Sequence, residues 1–221
     1  MISIIIPALN EAAVIDKTLQ SLQPLRQRGA EVILVDGGSE DDTVARAADQ
    51  VDQMIHAARG RARQMNAGAA VAKGEILWFL HADTVAPAQA DREIVRALQQ
   101  RLWGRFDVAL SGQSRLLKLV AWMMNRRSCW SGIATGDQGI FLYRRLFRQQ
   151  GPFPEIPLME DVAFSQQLRR QAAPFCTPLK LTTSGRRWEQ HGVVRTILLM
   201  WWLRFAYWVG VSPARLASWY R

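Results

Sequence analysis

The sequence predicts an α/β protein in which a mostly parallel sheet is covered by helices on both faces. Through the first hundred residues, short apolar segments alternate with segments that carry apolar residues every three to four positions. The short segments are continuously apolar, which is typical of strands buried on both faces of a sheet. The 221 residues are enough for one domain with a continuous core.

The first half of the chain is predicted to contain four strands with helices between them. The strands are predicted at residues 2–7, 31–36, 53–56 and 75–80. Asn10 is expected to cap the first helix, and Ser39 to Asp42 has the spacing of a capping box at the start of the second. Two further helices are predicted at residues 61–72 and at about 88–102.

The second half of the chain has a less regular pattern. Helices are predicted at residues 115–127 and 161–171, and strands at 140–143 and 180–183. A segment rich in Leu, Met, Trp and Phe follows. We therefore expect one domain over residues 1–192 and an apolar helical tail over residues 193–221, packed on the domain or on a membrane interface.

Acidic residues follow the predicted strands at the points where the strands end. Asp36 precedes Gly37-Gly38, and Asp83 follows the fourth strand. In open α/β sheets, ligands bind beyond the carboxyl ends of the strands, so these loops are the expected site. A carboxylate there can accept a hydrogen bond from a nucleotide or bind a hard divalent cation. Helix capping and solvated turns are the alternative explanations of each acid taken alone.

Five motifs occur in an order that resembles the family-2 glycosyltransferases of the GT-A fold. They are SIIIPALNE at 3–11, VDGGSEDDT at 35–43, NAG at 66–68 before GEI at 74–76, HAD at 81–83 and ED at 160–161. The likeness covers about residues 1–190. It implies a GT-A (nucleotide-diphospho-sugar transferase) fold, and transfer of a sugar from a UDP- or GDP-linked donor to a hydroxyl acceptor.

The resemblance also implies a role for each matching residue. Asp161 and Glu160 are the implied catalytic residues, and Asp161 corresponds to the base of an inverting displacement. Asp83 corresponds to the last acid of the DxD element, which holds Mn²⁺ or Mg²⁺ on the diphosphate, and His191 to a histidine that completes the metal site. The residues implied to bind the donor are Pro7, Asn10, Glu11, Asp36, Gly38, Arg61 (with Arg59 and Arg63 as alternatives), Asn66, Ala82 and Asp83.

Two elements of the chain depart from the family pattern. His81 replaces the first acid of DxD, and only the ending of the QxxRW element remains, which favours transfer of a single sugar over processive synthesis. The glycines around residues 136–139 either form a turn or bring backbone amides near an acceptor. The candidate acceptor-binding residues are Gly136, Asp137, Gln138, Arg187 and Trp188.

The formal net charge of +9 is concentrated in the second half of the chain. Nucleic acid is not favoured as the partner, because the arginines are scattered through apolar sequence without a nucleic-acid-binding motif. The apolar segment at 196–211 is interrupted by Arg204 and has three alternative interpretations. It is a helix packed on the core or at a homodimer contact, a helix that lies in a membrane interface, or a membrane span. The interfacial alternative fits a lipid or lipid-phosphate acceptor.

The beginning of the chain and its cysteines indicate a compartment. No signal peptide is recognised, which predicts a cytoplasmic protein, with peripheral attachment to the inner face of the cell membrane as a further possibility. Cys129 and Cys176 are far apart in sequence, so free buried thiols in a reducing compartment are expected.

Two other functions are compatible with parts of this pattern. A sugar-1-phosphate nucleotidyltransferase shares the α/β nucleotide-binding layout, but it should carry a glycine-rich loop after its first strand, where this chain has PALNEA. A non-catalytic, membrane-associated binding domain would retain the fold without turnover.

Overall fold

The computed structural model describes residues 1–220, except for the side chains of Arg187 and His191. Its strands are β1 (Ile2–Ala8), β2 (Glu31–Asp36), β3 (Gln53–His56), β4 (Ile76–Phe79), β5 (Thr84–Val85), β6 (Trp103–Leu110), β7 (Phe141–Tyr143) and β8 (Phe175–Thr183). Its helices are α1 (Ile15–Gln27), α2 (Thr43–Ala47), α3 (Arg61–Val71), α4 (Ala90–Leu98), α5 (Leu116–Ser131), α6 (Arg144–Gln150), α7 (Glu160–Gln171), α8 (Arg186–His191), α9 (Val193–Trp208) and α10 (Pro213–Tyr220).

The strands form one sheet in the order β3-β2-β1-β4-β7-β6-β8-β5. The first four strands in this order are parallel, as the sequence predicts. Beyond them the sheet is mixed, because β7 runs antiparallel to β4 and β6, while β6 and β8 are parallel. The carboxyl ends of β1, β2 and β4 therefore lie at one edge, as a ligand site between them requires.

Alternate residues of β1 point to opposite faces of the sheet and join two cores. Ile4 and Ile6 belong to a core completed by α1, α2 and α4. Ile5 belongs to a core completed by α3, α6 and α7. Since each face is buried against helices, strands in the middle of the sheet have no solvent-exposed side. This is why they appear in the sequence as continuous apolar segments.

Strand β6 is not predicted by the sequence pattern, because Gly104, Arg105 and Asp107 interrupt its apolar residues. Arg105 is nevertheless buried, with its guanidinium paired to Asp107 and donating to the carbonyl oxygen of Asn125. Parallel pairing with β6 also lengthens β8, which begins at Phe175 instead of the predicted residue 180. Tertiary pairing thus stabilises two strands that their own sequences specify weakly.

Two predicted helix caps are wrong. Asn10 has a left-handed backbone conformation (φ 56°), and α1 begins only at Ile15. Its side chain instead joins two loops, since the Oδ1 atom of Asn10 accepts a hydrogen bond from the Glu40 N–H at 2.9 Å. The expected capping box is absent as well, because Asp42 precedes α2 without a side-chain cap.

The expectation of free thiols is also wrong. A disulfide joins Cys129 of α5 to Cys176 of β8, with their Cα atoms 5.8 Å apart. The two cysteines are 47 positions apart in sequence, and the chain between them folds back because α5 packs against β6, the neighbour of β8. Sequence distance is no guide to this proximity, and the inference of a reducing compartment loses its basis.

The tail consists of the two helices α9 and α10. Leu203, Ala206 and Leu216 pack on Met159 and Val162 at the start of α7. Within residues 1–220, no helix is long and apolar enough to cross a membrane.

Candidate active site

Two adjoining depressions lie at the carboxyl edge of β1 and β4. The first, which we call the polar cleft, has a volume of about 510 Å³ and is lined in part by Pro7, Glu11, Arg61, Ala82 and Asp83. The second, which we call the apolar cavity, has a volume of about 440 Å³ and is enclosed largely by α5, α9 and the start of α7. The two share the lining residues Arg61, His81, Asp137, Trp188, Met200 and Tyr220. They therefore form one continuous site with a polar and an apolar half.

Besides Asp137, the carboxylates of Glu11 and Asp83 line the polar cleft. Burial raises the pKa of Glu11, and repulsion from the negative charge of Asp83 raises it further. Neither carboxylate forms an ion pair with a described side chain. Oxygen ligands of this kind suit a hard divalent cation, whose charge would relieve the repulsion. Asp83 and Glu11 are thus the residues that could hold a metal ion here.

The described residues do not supply a complete metal site. No cluster of three His, Cys, Asp or Glu side chains among them has metal-binding geometry. The predicted ligand His191 lies outside the described side chains, so its role stays a prediction. A cation held by Asp83 would need further ligands, and diphosphate oxygens are the chemically suitable ones.

Asp161 lies in the apolar cavity at the start of α7. Its Oδ2 atom accepts a hydrogen bond from the Gly136 N–H at 2.7 Å, and its Oδ1 atom accepts from the Val162 N–H. The positive end of the helix dipole stabilises a carboxylate at this position. These contacts fix the carboxylate in the apolar cavity, beside the loop whose Asp137 lines both halves of the site.

Glu160 has a different environment from its neighbour. Its side chain is buried, and burial followed by the charge of Asp161 raises the pKa of Glu160. Arg61 Nη1 donates to Glu160 Oε1 at 3.1 Å, which partly compensates the buried charge. Glu160 therefore positions Arg61 in the site. The alternative Arg63 is instead directed to Glu155 on the surface.

His81 contacts the loop that carries Gly136 and Asp137. Its Nδ1 atom is 3.2 Å from Asp137 Oδ1. Burial opposes the charge of Asp137, but the bond to His81 and the charges of His81, Arg61 and Arg204 lower the pKa of this acid. A side chain at Gly136 would collide with the imidazole of His81, so only glycine fits there. The histidine that replaces the first DxD acid thus holds the loop beside Asp161.

Asp36 is buried at the end of β2 and borders neither half of the site. Its carboxylate accepts hydrogen bonds from the amides of Gly38 and Ser39 at 3.0 and 3.1 Å, and His56 Nδ1 lies 3.2 Å away. Burial acts against its charge, but these contacts lower the pKa of Asp36. The loop at 36–39 lies beside the loop that carries Asn10, whose N–H donates to Ser39 Oγ.

Other predicted site residues have structural partners. The side-chain amide of Asn66 bonds the backbone N–H and C=O of Phe153, which ties α3 to the loop before α7. The buried Gln138 accepts from the Thr135 N–H within its own turn. Trp188 lines both halves of the site, whereas the side chain of Arg187 is outside the described part.

Sequence reasoning missed the residues that the tail contributes. Met200, Trp201 and Arg204 of α9, with Tyr220 of α10, line the apolar cavity. Arg126 and Arg127 of α5 line it as well. The one available indication was Arg204, a charge within an otherwise apolar helix, which is unusual unless it faces a polar space.

The fold and a two-part site at the carboxyl edge of the sheet define a GT-A glycosyltransferase. The family model "Glycosyl transferase family 2" matches residues 3–145. The chain belongs to this family. A protein of Mycobacterium tuberculosis described as an uncharacterised glycosyltransferase is 34% identical over 191 residues, which cover 81% of this chain and 71% of that protein. The nucleotidyltransferase and non-catalytic alternatives are accordingly not supported.

Solved structures share the fold at low sequence identity. TarS (residues 1–349) from S. aureus is similar with a TM-score of 0.65 and 16% identity, over 83% of this chain and 60% of that one. A mannosyltransferase from Pyrobaculum calidifontis, in complex with GDP-Man and Mn²⁺, gives a TM-score of 0.65 and 20% identity, over 82% of this chain and 56% of that one. The chain thus spans less than two thirds of either solved chain.

Proposed function

We propose that this glycosyltransferase moves one sugar from a nucleoside diphosphate donor to a hydroxyl group of an acceptor, with inversion at the anomeric carbon. The observation that carries the proposal is the position of Asp161, a carboxylate fixed in the apolar cavity by the Gly136 N–H. The donor occupies the polar cleft, and the acceptor enters through the apolar cavity. Asp161 lies in the apolar cavity, beside the loop whose Asp137 lines both halves of the site.

The polar cleft suits the donor in both size and charge. Arg61 and Arg186 line it and can pair with phosphate oxygens. Pro7, Glu11 and Ala82 supply its wall. The loops of Asn10, Asp36 and Gly38 are proposed to hold the nucleotide base beyond the cleft. In support, TarS has been solved with UDP-GlcNAc, and the Pyrobaculum calidifontis mannosyltransferase with GDP-Man.

A divalent cation, Mn²⁺ or Mg²⁺, is proposed as the cofactor. Asp83 would hold it, with Glu11 close by, His191 as a proposed further ligand, and the diphosphate completing the coordination. Such an ion acts as a Lewis acid that stabilises the charge of a departing diphosphate. The glucosyl-3-phosphoglycerate synthase of Mycobacterium tuberculosis, a structural neighbour with 20% identity, has been solved with Mg²⁺ and UDP.

In the reaction, the acceptor oxygen bonds to the anomeric carbon while the bond from that carbon to the diphosphate oxygen breaks. The electron pair of the broken bond stays on the nucleoside diphosphate. Asp161 accepts the proton of the acceptor hydroxyl, because a neutral hydroxyl is a poor nucleophile. Gly136, Asp137, Gln138, Arg187 and Trp188 are proposed to position the acceptor. Glu160 supports the site by holding Arg61.

Attachment to a membrane surface is proposed for the tail at 193–221. Four aromatic side chains of α9 are more than half exposed: Trp201, Trp202, Phe205 and Trp208. Trp122 of α5 is exposed as well. Basic residues, including Lys118, Arg195 and Arg215, accompany them in the sequence, and this combination favours an interface with anionic lipid. Such a location, on the inner face of the cell membrane, suits a lipid or lipid-phosphate acceptor.

Substitution of the proposed base tests the function. UDP-glucose, UDP-GlcNAc and GDP-mannose are first screened with Mn²⁺ for thermal stabilisation of the protein and for slow donor hydrolysis. We expect Asp161→Asn to lower hydrolysis of the active donor roughly 10²- to 10⁴-fold, because a positioned base contributes about this factor. Thermal stabilisation by the same donor should persist.

Glu155→Gln is the matched control, since this exposed acid pairs with Arg63 outside both halves of the site. It should hydrolyse the donor at the rate of the unmodified protein. Unchanged hydrolysis in Asp161→Asn would refute the assignment of the base. Absence of stabilisation and hydrolysis with every nucleotide-sugar would argue against the donor class.

A further inference from the structure

Besides Arg126, which is exposed and lies over the Trp122 ring, the apolar cavity contains two cationic side chains that the proposed chemistry leaves unused. Arg127 of α5 and Arg204 of α9 both line it, together with the apolar Met123, Met200 and Trp201. Neither arginine makes a hydrogen bond or an ion pair with any of the described residues. The Nη2 atom of Arg127 is buried without a hydrogen-bond partner.

Two neighbouring guanidinium groups in an apolar setting are unfavourable without an anion. Burial, and then the charge of Arg204, lower the pKa of Arg127 to about 9, so it remains charged at neutral pH. Burial likewise lowers the pKa of Arg204. Removing a charge from water is costly unless a partner of opposite charge compensates it. The cavity therefore presents positive charge that is compensated only at longer range.

The nearby acids are already engaged elsewhere. Asp161 accepts from Gly136 and Val162, and Asp137 contacts His81. Both acids act on Arg204 only through longer-range attraction. The two arginines also line only the apolar cavity, whereas Arg186 lines only the polar cleft and Arg61 lines both. A donor diphosphate in the cleft would therefore pair with Arg61 and Arg186 and leave Arg127 and Arg204 unpaired.

We propose that Arg127 and Arg204 bind a phosphate group of the acceptor, while the methionine and tryptophan wall of the apolar cavity receives an apolar chain. The inference rests on the proposed function and deepens it by naming the acceptor class, a phosphorylated amphiphile with a hydroxyl group near Asp161. Guanidinium groups bind phosphate through paired hydrogen bonds, which gives both strength and orientation.

Calorimetric titration with three probes tests the inference. Octyl phosphate carries both the chain and the anion, octyl glucoside carries the chain without charge, and inorganic phosphate carries the anion alone. We expect octyl phosphate to bind at least about tenfold more tightly than either of the others, because only it satisfies both the arginines and the wall.

Substitutions connect this binding to the two arginines. Arg127→Gln and Arg204→Gln should each weaken octyl phosphate binding by about tenfold or more. Arg127→Lys keeps the charge and should retain part of the affinity. The matched controls are Arg148→Gln on α6 and Arg170→Gln on α7, which each remove one exposed positive charge outside the cavity and are not part of the proposed membrane surface. Circular dichroism establishes that each variant is folded.

Each outcome has a definite meaning. Equal binding of octyl glucoside and octyl phosphate overturns the anion site, as does an effect of the arginine substitutions no larger than that of the controls. Equal binding of inorganic and octyl phosphate overturns the apolar part and identifies a soluble phosphorylated acceptor. Stabilisation by nucleotide-sugar is measured on the same samples, so a failure of the proposed donor chemistry is seen separately from a failure of the acceptor site.

Discussion

Glu160 and Asp161 are adjacent acids whose roles differ because their surroundings differ. Glu160 is buried against Arg61, and the contact with Arg61 opposes the rise in its pKa that burial and the charge of Asp161 cause. Asp161 reaches the cavity, where the Gly136 amide and the start of α7 hold it. The sequence identifies the pair, but only the tertiary structure decides that Glu160 pairs with Arg61 while Asp161 accepts from the Gly136 amide.

At Asp83, we expect Asp83→Ala to abolish the additional thermal stabilisation that Mn²⁺ gives in the presence of the active nucleotide-sugar. The physical reason is that this carboxylate is the proposed protein ligand of the ion. The measurement is a thermal melt with donor, with and without Mn²⁺. Asp49→Ala, which removes an exposed acid outside the site, is the control. If Asp83→Ala retained the stabilisation by Mn²⁺, the assignment of Asp83 as a metal ligand would be refuted.

Some site residues could be predicted from the sequence because strand ends carry them to a common edge. Glu11, Asp83 and Arg61 reach the polar cleft in this way. Asn66 also belongs to a matching motif, yet its amide is bonded to Phe153, a contact with a residue far along the chain. Hydrogen-bond partners of this kind depend on the path of loops, which local sequence does not encode.

At the scale of elements, the contact between α5 and β8 has a covalent component. The disulfide between Cys129 and Cys176 closes a loop of 47 residues, so reduction should destabilise the fold. We expect Cys129→Ser with Cys176→Ser to lower the free energy of unfolding by up to about 4 kcal/mol, from the restricted entropy of the unfolded chain. Urea unfolding with and without reductant measures this.

The double variant is its own control for reductant effects, because it should unfold at the same urea concentration under both conditions. Reduction that leaves the unfolding midpoint of the unmodified protein unchanged would contradict a stabilising bond. Since Cys129 is exposed, a mild reductant should reach it without prior unfolding. The contribution of the disulfide to the contact between α5 and β8 can therefore be tested in the native state.

At the scale of the whole molecule, the exposed tryptophans of the tail and α5 are the largest departure from an ordinary soluble surface. Trp202 and Trp208 are 55% and 79% exposed. We expect Trp202→Ser with Trp208→Ser to reduce binding to vesicles containing phosphatidylglycerol by about an order of magnitude, because apolar burial at the interface is lost. Vesicle sedimentation at low and high salt gives the measurement.

Val95→Ser, which changes an exposed apolar residue of α4, is the matched control and should bind like the unmodified protein. High salt should weaken binding of the unmodified protein, since basic residues contribute through screened attraction. If the tryptophan variant bound vesicles as well as the unmodified protein does, the proposed attachment of the tail to a membrane surface would be refuted. Concentration-dependent dimerisation that the same variant abolishes would instead indicate a second copy of the chain on this surface.

By itself, the sequence determined the parallel half of the sheet, the family and the polar residues at the strand ends. It could do so because buried strands and the loops that follow them leave local, ordered patterns. Only the tertiary structure decided the pairing of β6, the disulfide, and the approach of α5 and α9 that brings Arg127 and Arg204 together. These features join residues far apart in sequence, and packing between elements, which local pattern does not record, determines them.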